Sequence, residues 1–208
     1  MYKRQLSSYP LVISGQASDA IKTVKDLVAF GKANPGKANY PTSSPAFTIP
    51  SELFKLKTGM PGQPIPYRST NEMLLSVVSG QSLFVFADSG ITVPLAKAGK
   101  VRSFAVANPT RIAELPDVPT LAEAGLAEID IKPQWNGAFL TAGTPPAIVS
   151  KLEAELRKAI ADPAVREKIR GMTYYPEGMP GAEFRARIDS DIKIFQDVVK
   201  AANLKFER

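Results

Sequence analysis

Between Tyr9 and Asn108 the sequence alternates apolar runs of strand length with amphipathic runs of helix length, and this alternation most constrains the fold. "YPLVIS" (Tyr9 to Ser14) predicts a buried strand ending at Gly15. "DAIKTVKDLVAFGKANPGK" then sets Ile21, Val24, Leu27, Val28 and Phe30 at helical spacing, with Asp19 as the expected N-cap and "NPG" as the stop. "ANY" predicts a short strand that delivers three hydroxyls in a row, Thr42, Ser43 and Ser44. The following helix starts at Ser44 or at Thr48. Thr48 is the expected cap, because Pro50 then falls in the first turn, where its missing N–H is harmless; a start at Ser44 puts Pro50 inside the helix. That helix should reach about Lys57 and end at "TG".

"QPIPYRS" reads as extended, since proline pushes its predecessor toward β geometry. "NEMLLSVVSGQ" is a helix with Met73, Leu74, Val77 and Val78 on one face and Gly80 as its stop. "SLFVFAD" is a continuous apolar strand of the kind buried on both faces of a parallel sheet, followed by a short helix, "ITVPLAKAG", and another strand, "VRSFAVAN". The pattern implies an α/β fold with right-handed crossovers. After Asn108, "PTRIAELPDVPTLAEAGL" is a proline-punctuated connection expected to carry one short helix, and "IKPQWNGAFLTA" is a strand holding the only tryptophan. Two long amphipathic helices follow, "PPAIVSKLEAELRKAIAD" and "GAEFRARIDSDIKIFQDVVKAAN", with the short helix "PAVREKIRG" between them. A helical layer must cover something. Only one nearby strand is evident, so the second lobe is expected to be partial.

The chain has no cysteine and no histidine, which removes disulfides, thiolate zinc sites, cysteine nucleophiles and any Ser-His-Asp triad. No GxSxG elbow, P-loop, dinucleotide glycine fingerprint or metal-ligand cluster is present, so no cofactor is expected. The formal net charge is +6, yet the basic residues are scattered and no stripe interleaves them with aromatics, which argues against nucleic acid as a partner. A mild positive field would instead draw in small anions. The basic opening "MYKRQLSSYPLVISG" lacks an apolar segment of signal length, so an export signal is not expected within this sequence.

The hydroxyl run lies where a strand gives way to a helix, the place where open parallel sheets hold ligands. Hydroxyls and unpaired N–H groups there suit a carboxylate, although ordinary turn and capping chemistry explains the same residues. Ala46 and Phe47 would form an adjoining wall, with Phe47 equally suited to the core. Tyr67, Arg68 and Ser69 follow another extended segment and reach toward the rim; Arg68 could grip an anion as a fork or simply be solvated. Asp88 ends a buried strand and is either a cap for the next turn or a cleft residue. Asn108 is a hinge or cleft candidate, and Trp135 packs near a lobe junction or in plain core. The charges in "KLEAELRKAIADPAVREK" read as a solvated face.

Several phrases occur in a telling order: "ANYPTSSPAFTIPSELFKLKTG", "IPYRSTNEMLLSVVSGQ", "FVFAD", "KAGKVRSFAVAN", "RIAELPDVPTLAEAGL", "TAGTPPAIVSKLEAEL" and "ADPAVREKIR". Together they resemble the substrate-binding receptors of tripartite tricarboxylate transporters, the Bug receptors, from about Pro10 to the end. Leu115 to Leu126 is the most specific piece. The resemblance implies a periplasmic-binding-protein-like two-lobed fold, one lobe complete with a mixed or parallel sheet and the other partial and helix-rich. Residues 1–10 would be a remnant of the first lobe, 11–127 the complete α/β lobe, and 128–208 the return to the first lobe. A small carboxylate would sit in the cleft between lobes, held by Thr42, Ser43, Ser44, Ala46, Phe47, Tyr67 and Arg68. Asp88 borders that site, where it would orient a ligand amino group or a water. The implied partners are that ligand and the membrane transporter subunits, and the implied compartment is the periplasm. Family members begin with a further strand, Gly-rich loop and helix that supply half of the carboxylate clamp. Without it this form is expected to bind weakly or not at all as a monomer, and its incomplete lobe invites dimerisation. The competing reading is a small α/β enzyme acting on a carboxylate with Asp88 and a lysine.

Overall fold

Pro10 divides the first extended segment into two strands that serve different sheets, where the sequence predicts one strand over Tyr9 to Ser14. In the computed structural model, which describes residues 3–18 and 20–205, strand β1 runs Lys3–Tyr9 and β2 runs Leu11–Gln16. Proline lacks the N–H a ladder requires, so pairing stops there and restarts. The chain separates into two compact units: residues 1–9 with 134–196 (unit 1), and residues 10–133 with 197–208 (unit 2).

In unit 2, helix α1 (Val24–Ala33) is capped by Thr23, whose hydroxyl accepts from the Asp26 N–H while the Asp26 carboxylate accepts from the Thr23 N–H. Asp19, the expected cap, lies outside the described residues. A 3₁₀ turn at Pro35–Lys37 leads into β3 (Tyr40–Thr42), and helix α2 (Pro45–Thr58) follows. The expected start at Thr48 is corrected. Ser44 is the cap and Pro45 takes the first helical position, where its fixed φ suits the helix. Pro50 therefore stands in the interior, without the N–H that would reach the Ala46 carbonyl. Beside it, the Ser51 hydroxyl donates to the Phe47 carbonyl at 2.8 Å and Thr48 to the Ser44 carbonyl at 3.0 Å. Gly59, at φ +66°, closes the helix as its left-handed cap.

Strand β4 (Pro64–Pro66) pairs parallel with β3, Thr42 opposite Pro66. Helix α3 (Thr70–Val78) is followed by β5 (Phe84–Asp88), α4 (Ser89–Lys97) and β6 (Val101–Ala107). The central sheet has the order β5-β2-β6, with β2 antiparallel to both neighbours. β5 is buried along its whole length, as its composition predicts, but its partner on this side is antiparallel. On the other side the Leu83 N–H donates to the Asn39 carbonyl at 2.9 Å, so β3 and β5 start side by side. The antiparallel sheet β5-β2-β6 and the parallel pair β3-β4 thus lie edge to edge there. One face stacks Phe84 and Phe86 against Tyr40 and Phe54, with ring centroids 5.4–6.4 Å apart. Val12, Val93, Val106, Ile112 and Leu115 form a second buried cluster.

The connection after β6 forms turns and no helix, against expectation. Thr120 and Glu123 make a reciprocal cap (2.8 and 3.1 Å), but Gly125 at φ +86° ends the coil after one turn. Unit 1 holds β7 (Gln134–Phe139), α5 (Pro146–Ala161), α6 (Pro163–Gly171), β8 (Tyr175–Pro176) and the start of α7 (Gly181–Ala201). Its sheet is β7-β1-β8, both outer strands antiparallel to β1. The sequence shows one of these three strands, because β1 is polar. Arg4, Gln5, Ser7 and Ser8 are all buried in it, with Glu177 accepting from both Gln5 and Ser8. Glu153, expected on a solvated face, instead receives Arg4 at 3.1 Å.

Candidate functional site

Strands β3 and β5 begin together, and β3 and β4 are parallel, so all three present their carboxyl ends at one edge of unit 2. Each hands the chain to a helix there. The three helix N-termini carry partial positive charge, and what faces each of them differs. At α4, Asp88 is the cap: its carboxylate accepts from the Ile91 N–H at 3.2 Å and is buried. At α3, the Ser69 hydroxyl accepts from the Glu72 N–H at 3.3 Å, and Glu72 turns back to accept from the Arg68 N–H at 3.0 Å. At α2 there is no acidic residue in the first turn and no capping bond from the Ser44 side chain.

The hydroxyl run splits in two at this terminus. The Thr42 side chain is spent locally, against the Thr48 hydroxyl and the Ser44 carbonyl, while its own carbonyl receives the Tyr67 N–H at 2.7 Å. Ser43 and Ser44 are half-buried, and among the described residues neither hydroxyl has a hydrogen-bond partner. Among the described residues the Ala46 N–H also has no partner, whereas those of Phe47 and Thr48 both reach the Ser44 carbonyl at 3.1 Å. Three donors therefore surround the one helix end that lacks an anion. This is an arrangement able to take a carboxylate without burying a counter-charge.

The remaining candidates fall unevenly around this point. Ala46 is half-buried and Phe47 is buried, its ring in the core of unit 2. Tyr67 extends β4 beside Thr42 and is half-buried; Arg68 next to it is exposed. Asn108 donates to the Thr110 carbonyl at 2.7 Å and closes a turn of its own. Trp135 belongs to unit 1, where its indole N–H donates to Asp191 at 2.9 Å and its ring meets Phe184 edge-on at 4.8 Å. Thr48 was expected only as a helix start. Its hydroxyl instead fixes Thr42 and Ser44, a role that the two flanking prolines conceal in the sequence. Two cavities of unit 2, of about 290 and 620 Å³, lie elsewhere: one is lined by Gln16, Asn39 and Ser82, the other by Lys22, Arg102 and Glu123. Among the described residues no group of three or more Asp or Glu side chains could hold a metal ion, and no helix is long and apolar enough to cross a membrane.

Residues 2–204 match the protein family described as the tripartite tricarboxylate transporter family receptor. A UPF0065 protein from the gbd 5′ region of Cupriavidus necator is 32% identical over 190 residues, which cover 89% of this chain and 57% of that protein. A solved periplasmic transporter structure is 31% identical, with a TM-score of 0.86, covering 98% of this chain and 68% of the other. A Rhodopseudomonas palustris protein solved with adipate is 25% identical, with a TM-score of 0.85, covering 96% of this chain and 67% of that one. The chain thus spans little more than half the length of its Cupriavidus relative and about two thirds of the solved chains.

Proposed function

Because the chain belongs to the tripartite tricarboxylate transporter family of receptors, we propose that it binds a small carboxylate at the open N-terminus of α2 and delivers it, unchanged, to a membrane transporter from the periplasm. The observation that carries this reading is the set of three unspent donors, Ser43, Ser44 and the Ala46 N–H, at the one helix end of that sheet edge with no acid and no side-chain cap. Thr42 and Thr48 hold the loop, Ala46 and Phe47 back it, and Tyr67 and Arg68 form the neighbouring wall. Asp88 is engaged by the α4 N-terminus and shapes the border of the site.

Each hydrogen bond to a charged group contributes roughly 1.5–3 kcal/mol net. Three of them, set against the ~4–15 kcal/mol cost of association, give this edge alone millimolar affinity or weaker. Amide NMR titration with adipate and with malate tests the proposal directly. The expected result is saturable shifts at Ser43, Ser44 and Ala46, with the acid recovered chemically intact. Shifts confined to other residues, or conversion of the acid, would overturn it.

A further inference from the structure

The candidate site lies where β3 and β5 end, and a cavity of about 290 Å³ lies where they begin. That volume is at the small end for a small-molecule site, about 300–1,000 Å³. β2 runs the other way, so its last residue, Gln16, comes to the same place. Helices α1 and α3 both end there, and Gly36 and Lys37 after the first and Gly80 and Gln81 after the second line the opening. Helix carboxyl ends carry partial negative charge, so this edge of unit 2 has the opposite polarity to the α2 end. Among the described residues no Asp or Glu lines the cavity, and its one charged group is the exposed Lys37.

The walls are apolar. Ile21 and Phe104 are buried, and Phe30 and Leu83 are half-buried. The Phe104 ring lies over Gly15, where a Cβ would come within 2.7 Å of it. The least exposed polar groups are donors. Ser82 is 2% exposed; its hydroxyl accepts from Ser76 at 3.0 Å, and its own proton has no acceptor among the described residues. Half-buried Asn39 accepts from the Gln63 N–H at 3.1 Å through Oδ1, and its NH2 has no partner among the described residues. The Asn39 carbonyl takes the Leu83 N–H at 2.9 Å, so these two donors are neighbours. The acceptor is Gln16. Its amide donates to the Val78 carbonyl at 3.4 Å and keeps Oε1 without a partner among the described residues. Gly80, at φ +75°, permits that approach, since a Cβ there would stand 3.2 Å from the Gln16 amide.

A buried donor without an acceptor is costly, and two side by side suit one carbonyl oxygen with its two lone pairs. A carboxylate offers the same oxygens but would set a charge among neutral donors at two negative helix ends. An amide offers the oxygen without the charge, and its N–H groups match the Gln16 acceptor. We propose that this cavity is a binding site for a small uncharged amide carried on an apolar ring. The amide oxygen accepts from Ser82 and Asn39, the NH2 donates to Gln16, and the ring lies against Phe104 and Ile21. This goes beyond the carboxylate reading and stands whether or not α2 takes an acid.

Amide NMR titration of the whole 208-residue chain compares benzamide with benzoate, which has nearly the same shape and a charge in place of the NH2. Benzamide should give saturable shifts at Asn39, Ser82 and Leu83. Benzoate should bind there about tenfold more weakly, as a negative charge at two helix carboxyl ends predicts. S82A removes one donor, while Ser76 keeps the Met73 carbonyl at 2.7 Å. N39D keeps the acceptor for Gln63 and removes the other donor. Each should weaken benzamide about fivefold or more, the change that loss of one neutral hydrogen bond predicts, with unchanged far-ultraviolet circular dichroism. K37M should leave benzamide binding as it is, since the ligand carries no charge for that ammonium to meet. Absence of saturable shifts at those residues overturns the proposal. So does benzoate binding as tightly as benzamide, an affinity that S82A and N39D both leave unchanged, or a loss of benzamide binding in K37M.

Discussion

Ser44 and Thr23 are both helix caps, but only Thr23 uses its hydroxyl as one. The Thr23 side chain holds the Asp26 N–H at 3.1 Å, while Ser44 makes no such bond. T23A should therefore lower stability by about 1 kcal/mol, the usual cost of losing a capping oxygen, and leave carboxylate binding alone. S44A should do the reverse: little change in urea midpoint, and roughly tenfold weaker binding, as loss of one charge-assisted bond predicts. Equal stability losses would show that the Ser44 hydroxyl is structural and end its assignment to a ligand. Two carboxylates bear on pH. Bonds from the Lys22 and Thr23 N–H groups and the Thr23 hydroxyl hold Asp26 below its ordinary 3.8, and the Thr120 N–H and Arg111 hold Glu123 below 4.5. A depressed folded-state value means that the unfolded chain takes up the proton first. The stabilisation is thus complete above those ordinary values and drains as pH falls through the lowered ones. D26N/E123Q should flatten the acid side of the stability curve below about pH 5 and change nothing near neutrality beyond a constant offset.

At the scale of elements, α2 is seated on β3 by a polar triad of buried Tyr40 and Glu52 with half-buried Lys55. The Tyr40 phenol donates to Glu52, Lys55 reaches both Glu52 oxygens at 2.8 and 3.0 Å, and the same ammonium lies 5.4 Å from the Tyr40 ring. Burial and then the Glu52 acceptor push the phenol well above its usual range, so it remains a donor at any accessible pH. Y40F keeps the ring against Phe84 and strips one donor from a buried carboxylate. The expected loss is about 1–3 kcal/mol with the α2 N-terminus undisturbed, readable as a lower urea midpoint at unchanged adipate affinity. Little of this triad is visible in "ANYPTSSPAFTIPSELFKLK", where Glu52 and Lys55 look like an ordinary surface pair. The strands β5 and β6 and the helices α3, α5 and α7 were legible because their apolar spacing is unmixed. The start of α2 was not, because propriety of a proline at one position had to be weighed against its cost at another, and the hydroxyls of Thr48 and Ser51 tip that balance. β1 was illegible for a different reason. Its buried groups are polar, paired with Glu177 and Glu153 more than 140 positions away, and no local pattern records a partner that distant. The hydroxyl loop was visible as a site by position alone; which of its three hydroxyls are spent became clear only from their partners.

At the scale of the molecule, the two units differ in what holds them. Leu11, Val12 and Ile13 are fully buried between β5 and β6, and with Phe84, Val85 and Phe86 they anchor unit 2 in a continuous apolar core. Unit 1 rests on Phe184 packed into the slot above Gly137, with Trp135 and Phe139 beside it, and on the polar contacts of β1. Local opening follows local contact, so amides in unit 1 should exchange through smaller openings than those of β2 and β5. A Cβ at position 137 would stand 2.6 Å from the Phe184 ring, and G137A should therefore displace the main apolar anchor of the unit. Trp135 reports this unit alone, since no other tryptophan exists. In a urea series its emission should change before the exchange protection of Val12, Ile13 and Val85 is lost. G137A should move the first event to lower urea and leave the second in place. A single coincident transition for both probes, in the wild type and in G137A alike, would mean that the two units unfold as one and that the thin core of unit 1 is no weakness.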